Sequence, residues 1–237
     1  MKYFTLFLLV ILCSCKSDTS DNTMYVDGDI IELRKGTLYL QKIKDSLLIN
    51  VDSLQLNRNG KFNFEVEISE PEIFHLYLAK DDGDSLNDRI IFFGDKGRIN
   101  IKTRLKTFES SAIIQGSTNN DLLDEYKSIS RKFNLKNLEL FKLYLESQKD
   151  QNSKSIDSFK KQIDNLTKRK YLYTLNFANT HFDKMISPYI IISEASDANP
   201  NLLDTIAKKM PDHIKSSKYG KAFFEVLKKN KNIVEKK

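Results

Sequence analysis

Between Ser46 and Ile68 the chain reads SLLINVDSLQLNRNGKFNFEVEI, and this stretch limits the fold more than any other. Phe62, Phe64, Val66 and Ile68 alternate with Lys61, Asn63, Glu65 and Glu67. A period of two places the first set on a buried face and the second in water. Glu65 and Glu67 therefore point to solvent rather than into a cleft. Asn59-Gly60 precedes the run, and both residue types accept φ > 0, so a tight turn and a β-hairpin with residues 46–56 are expected. In that earlier segment Leu47, Ile49 and Val51 share one face, whereas Leu54 and Leu56 share the other. A β-bulge near Asp52-Ser53 would reconcile the two.

The same strand-like texture fills the first half. Candidate strands cover residues 25–33, 37–43, 46–56, 61–68, 72–79, 89–94, 97–103 and 111–115. Polar turn signals such as Arg34-Lys35-Gly36, Asp81-Asp82-Gly83 and Gly94-Asp95-Lys96-Gly97 separate them. Short strands with polar turns predict an antiparallel β-sandwich or barrel of about eight strands. Ile90, Ile91, Phe92 and Phe93 are apolar on both faces, which predicts a central strand for Arg89–Phe93.

Near residue 118 the period changes. Leu122, Leu123, Tyr126, Ile129, Phe133, Leu138, Phe141 and Leu145 recur at three-to-four spacing, and Thr118-x-x-Asp121 supplies a capping pattern before them. A second helix is expected over about residues 155–179, with Ile156, Phe159, Ile163 and Leu166 on one stripe. Residues 148–153 read as the reversal between the two. Ser187-Pro188 and Asn199-Pro200 each read as an N-cap followed by Pro at the first helical position. A last helix over about residues 217–229 carries Phe223, Phe224 and Leu227, and the basic end after it reads as a frayed tail. The fold class is thus α+β: a β-rich region at 25–117, then a helical region of about four or five helices at 118–237.

Charge divides along the same line. Residues 16–118 hold 14 basic and 17 acidic residues, and residues 119–237 hold 23 and 15. The basic second half fits a solvated helical surface or contact with an anionic envelope component. Nucleic acid is not expected as a partner.

The first residues give an address. Lys2 precedes the apolar run Phe4–Leu12, too short for a bilayer core that needs about 20 helical residues, so residues 1–14 read as an export signal. Leu12-Cys13-Ser14-Cys15 resembles a bacterial lipobox, with Cys15 the lipidated residue, Ser14 the small residue before it and palmitate among its acyl chains. Several chains on one cysteine anchor stably where one would not. Residues 15–24 then form a lipidated polar tether. Lys16, rather than an aspartate, follows the cysteine, which points to the outer membrane facing the periplasm, with the cell surface as the alternative. Cleavage discards Cys13 and lipidation consumes the Cys15 thiol, so neither a disulfide nor thiol chemistry is expected.

Signals for chemistry are sparse. His75, His181 and His213 fall in different elements with no HxxxH or HExxH spacing. The nucleotide and hydrolase motifs GxxxxGK[ST], GxGxxG and GxSxG do not occur. Asp81, Asp82, Asp84 and Asp88 crowd around Gly83, but Leu86 breaks the EF-hand order. No catalytic, cofactor-binding or metal-binding residue is expected, and no cofactor. Asp45-Ser46-Leu47, Asp52-Ser53-Leu54, Asp84-Ser85-Leu86 and Asp204-Thr205-Ile206 resemble an O-glycosylation sequon, D-[ST]-aliphatic. Ser85, Ser46, Ser53 and Thr205 are the candidate acceptors.

One ordered set of short motifs remains: Gly28-Asp29-Ile30, Leu38-Tyr39-Leu40, Val51-Asp52-Ser53, Asn59-Gly60-Lys61-Phe62-Asn63-Phe64, Phe92-Phe93-Gly94 with Gly97-Arg98-Ile99-Asn100-Ile101, and Gln115-Gly116-Ser117-Thr118-Asn119. In this order they resemble a domain of unknown function, number 4369. That domain precedes a helical segment and a thioredoxin domain in membrane-anchored TlpA-like thiol–disulfide oxidoreductases. Residues 179–189 and 216–221 are similar to the helical connector. The resemblance covers about residues 25–225 and is closest over 25–119. It implies the accessory half of such proteins without the thioredoxin domain, since no CxxC is present. The expected function is that of a non-catalytic, lipid-anchored envelope protein whose β-domain binds a protein partner or small ligand. The alternatives are an adaptor docking a separate thioredoxin-fold protein, or an envelope hydrolase using clustered carboxylates.

Overall fold

A computed structural model describes residues 22–80 and 89–235. Eight strands come first: β1 (Thr23–Ile31), β2 (Gly36–Lys44), β3 (Leu47–Leu56), β4 (Lys61–Glu67), β5 (Glu72–Ala79), β6 (Arg89–Gly94), β7 (Gly97–Arg104) and β8 (Ile113–Gln115). Six helices follow: α1 (Thr118–Lys149), α2 (Ser153–Thr180), α3 (Ile186–Glu194), α4 (Pro200–Lys209), α5 (Asp212–Lys215) and α6 (Lys218–Glu235). The α+β class is as expected. No helix among the described residues is long and apolar enough to cross a membrane.

The strands form a sandwich of two four-stranded sheets. One runs β4-β1-β7-β8 and the other β3-β2-β5-β6. All pairings are antiparallel except β1 with β7. Alternation sends Val26, Ile30, Phe62, Phe64, Ile99 and Ile101 of one sheet against Leu38, Leu40, Phe74, Leu76, Ile90 and Phe92 of the other, all buried. This is the packing that a period of two with one polar face requires.

The Ser46–Ile68 stretch is not a hairpin. β3 pairs with β2 and β4 pairs with β1, so residues 57–60 cross from one sheet to the other. Gly60 serves close approach, not a left-handed turn. A Cβ there would lie 2.0 Å from the Ile30 carbonyl oxygen, and the Ile30 N–H donates to the Gly60 carbonyl at 2.9 Å. The hairpin is β2–β3 instead, turned by Asp45 and Ser46 at φ 50° and 67°, a left-handed pair that matches strand twist. The expected bulge is present one residue early. Leu40 faces Asp52 and Gln41 faces Asn50, which leaves Val51 as the extra residue.

Arg89–Phe93 is an edge strand, not a central one, because β6 ends its sheet. On its outer side the helices cover Phe93, while Ile91 stays exposed. Phe93 there joins Tyr189 and Tyr219 in edge-to-face contacts of 5.7 and 6.0 Å, within a second core that holds Ile73, Leu123, Tyr126, Phe177, Ile190 and Phe223.

Helix starts differ in detail. Ser117, not Thr118, caps α1 by accepting from the Asn120 N–H at 3.0 Å. Ser187-Pro188 lies inside α3, with the Ser187 hydroxyl donating to the Ala178 carbonyl at 2.8 Å. Asn199-Pro200 starts α4 as expected. Helix α6 runs on to Glu235, so the basic end is helical through that residue.

The β and helical layers are bolted together at two places. The Lys218 N–H at the start of α6 donates to both Glu70 carboxylate oxygens, at 2.9 and 3.1 Å, and negative charge there suits the helix dipole. Buried Glu72 sits between the Lys42 and Lys218 ammoniums at 2.7 and 2.6 Å. At the start of α1, Asp95 accepts from the Ser117 hydroxyl and from the Asn119 amide, the latter at 3.0 Å.

Candidate functional site

The last edge of each sheet meets α1 in one place. In an antiparallel pair a residue exchanges both main-chain bonds with its partner or neither. The Phe93 N–H donates to Asn120 Oδ1 at 3.1 Å rather than to β5. Two residues back, Ile91 therefore turns its main-chain groups the same way, towards α1, and its carbonyl lies 3.5 Å from Lys127 Nζ. Asn120 and Lys127 are seven residues apart, two turns on one helical face, and so lie along the strand edge.

Beyond them opens a cleft of ≈ 790 Å³, a size within the range of ligand sites. β6 contributes Ile90 and Ile91; the end of the other sheet contributes Ala112 and Ile114, with Glu109 and Ser110 before them. α1 contributes Asp124, Lys127, Ser128, Arg131, Lys132 and Leu135. One wall is thus apolar β-structure and the other a charged helix.

The charges are unevenly satisfied. Burial pushes the Lys127 ammonium below its ordinary pKa, while the carboxylates of Asp124 and Glu109 work against that shift. Burial pushes Asp124 up, opposed by Lys127 and by the Asn120 amide, which donates to it at 3.1 Å. Lys127 thus lies in the field of both carboxylates, without an ion pair to either among the described residues. Among the described residues Arg131 and Lys132 make no ion pair.

A second concentration of polar chemistry lies on the outer face of the β2-β5-β6 sheet. Buried side-chain atoms without a hydrogen-bond partner among the described residues are Gln41 Oε1, both ring nitrogens of His75 and Arg89 Nε. Register places them together: Gln41 faces His75, His75 faces Ile91, and Tyr77 faces Arg89. The Arg89 guanidinium lies 5.2 Å over the Tyr77 ring, which stacks on Tyr39 at 6.0 Å. Burial first, then the charges of Arg89 and Lys127, hold the His75 pKa below its usual value. Ile91 belongs to both this row and the cleft.

The sequence-level candidates fall elsewhere. Cys15 and Ser85 lie outside the described residues, as does the acidic cluster at 81–88. Ser46 is exposed in the β2–β3 turn, Ser53 is exposed on β3, and exposed Thr205 donates to the Asn201 carbonyl at 3.0 Å on α4. None of these three lines the cleft. His75, His181 and His213 sit on β5, at the C-cap of α2 and on α5. The cleft residues went unseen because Asp124, Lys127 and Arg131 read as the solvated side of an amphipathic helix. Their spacing of three and four was the available signal.

Residues 24–123 match the family described as Domain of unknown function (DUF4369). The match continues past β8 into the first turns of α1, as far as Leu123. No curated protein and no solved structure matches the chain.

Proposed function

We propose that this chain, a DUF4369 domain joined to a helical region, is a non-catalytic binding module held at the cell envelope by lipid on Cys15. The observation that carries the reading is the cleft between β6, the end of β8 and α1. It combines an apolar floor with Arg131 and Lys132, two cations that no described side chain neutralises. Such a surface retains a ligand by burial and charge together. Its two carboxylates, Asp124 and Glu109, lie in the field of the Lys127 charge, which suits holding a ligand better than moving protons. The outer-membrane, periplasm-facing location follows from the lipobox-like Leu12-Cys13-Ser14-Cys15 and from Lys16.

Metabolic labelling with radioactive palmitate tests the anchor. The wild-type chain takes up label and sediments with membranes, whereas Cys15→Ser takes up none and is released. Equal labelling of the two would overturn the anchor. The binding role is tested at the cleft itself: Leu135→Glu leaves the fold intact, since Leu135 is 61 % exposed, and abolishes ligand-induced amide shifts at Ile91 and Ile114.

A further inference from the structure

Taking the cleft as the binding surface, we propose that its ligand is an extended acidic peptide segment that adds as a strand to the outer edge of β6. The edge is open there in a specific way. Phe93 and Ile91 turn their main-chain groups away from β5, and at Phe93 the N–H is already taken by Asn120. At Ile91 the carbonyl has only the long 3.5 Å contact from Lys127, and no described group takes its N–H. Among the described residues no strand pairs with this edge. A donor and an acceptor, spaced as a strand spaces them, therefore face the cleft. Asn120 closes the edge at one end, so a segment pairs from Ile91 towards Arg89.

Side chains favour the same occupant. An extended peptide points successive side chains to opposite sides. In this cleft the β wall offers Ile91 and Ile114, and the α1 wall offers Arg131 and Lys132 beside Leu135. Alternating apolar and acidic residues satisfy both. Lys127 need only swing from the Ile91 carbonyl to a peptide carboxylate, whose charge opposes the lowering of its pKa by burial. This is strand addition: main-chain bonds supply affinity and the two walls supply specificity. A compact anion would meet the cations but leave the Ile91 N–H and carbonyl unused.

Panning a random heptapeptide display library against the full-length chain tests this. Enriched sequences are expected to alternate apolar with acidic residues, and a synthetic copy of the best one shifts the Ile91 amide in nitrogen-correlated spectra. N-methylation of alternate amides along one edge of that peptide weakens binding at least tenfold, while the other edge tolerates it. The pair Arg131→Glu and Lys132→Glu, both exposed, also costs at least tenfold. Enriched peptides without acidic bias, or affinity that survives N-methylation of either edge, would overturn the proposal. Decanoate is titrated in parallel. If it shifts Ile91, Ile114 and Leu135 while no peptide is enriched, the peptide proposal fails and the cleft remains a binding surface. If neither probe shifts these residues, both fail.

Discussion

The early turns of α1 carry Asn120, Leu123, Tyr126 and Ser130, all buried. Its later turns carry Leu138, Phe141 and Leu145, which are 67, 48 and 48 % exposed. Both sets obey the same three-to-four spacing. The difference lies in what packs alongside. The early turns sit between β6 and α2, with Tyr126 stacked on Tyr173 at 5.6 Å and bonded through its hydroxyl to Thr174 at 2.8 Å. In the later turns Leu140 and Ser147, not the leucines of the regular stripe, are the buried positions. Amphipathic spacing therefore marks a face capable of burial. Whether that face is covered depends on the neighbours the chain supplies.

The sharpest way to break this comparison is to delete one aromatic ring from each half. Tyr126→Ala removes a buried ring from a cluster that cannot readily collapse, and is expected to cost about 3–5 kcal/mol. Phe141→Ala trims a half-exposed ring and is expected to cost under ~1 kcal/mol. Urea unfolding of the two variants measures both. Equal losses would mean that the later turns are covered in solution. The Tyr126 hydroxyl gives an independent reading, because burial pushes its pKa up to about 12. The neutral form is the one the fold stabilises, so that contribution is complete below about pH 10 and is lost as pH rises towards 12.

Next in size is the bond between α1 and the strand edge. Asn120→Leu leaves the Phe93 N–H without its acceptor in a buried place, at a cost of about 1–3 kcal/mol. The matched change Asn137→Leu, on an exposed later turn, is expected within about 0.5 kcal/mol of wild type. Hydrogen exchange at the Phe93 amide reports the same loss locally. An unchanged exchange rate in Asn120→Leu would show that the edge is closed by something other than this side chain.

How much of this was legible follows the range of the forces involved. Strands β4 to β7 were bounded within about a residue, because alternation and Gly or Asn turns act over a few positions. Strand partners were not. Asn59-Gly60 has the composition of a hairpin turn, yet Gly60 is small because Ile30 passes against it, a contact 30 residues away in sequence. Asp45-Ser46 turns the actual hairpin with a weaker local signal. Arg89–Phe93 showed two apolar faces, and nothing local distinguishes a neighbouring strand from a covering helix as the cause. The cleft was hidden for the same reason: Lys127 and Arg131 are ordinary helix-surface residues until β6 is placed beside them.

The smallest effect tests whether the early half of α1 acts electrostatically on the sheet. Burial first, and then the positive charges of Arg89 and Lys127, favour the neutral form of His75. Its folded pKa thus lies below the value near 6.5 of an unfolded chain. As pH falls, the unfolded state takes up the proton first, so stability present above about pH 6.5 declines below it until the folded pKa is passed. His75→Leu removes this dependence, and it also removes two buried nitrogens that lack partners, so it is expected to be at least as stable as wild type near pH 5. Lys127→Met should raise the His75 pKa, because one of the opposing charges is gone. Lys142→Met, on the exposed later turns, should leave it where it was. Carbon-bound imidazole protons followed through a pH titration measure all three. If Lys142→Met moved His75 as far as Lys127→Met, the two halves of α1 would not differ in their reach to the sheet. The acid sensitivity would then belong to the net charge of the helical region rather than to the contact at β6.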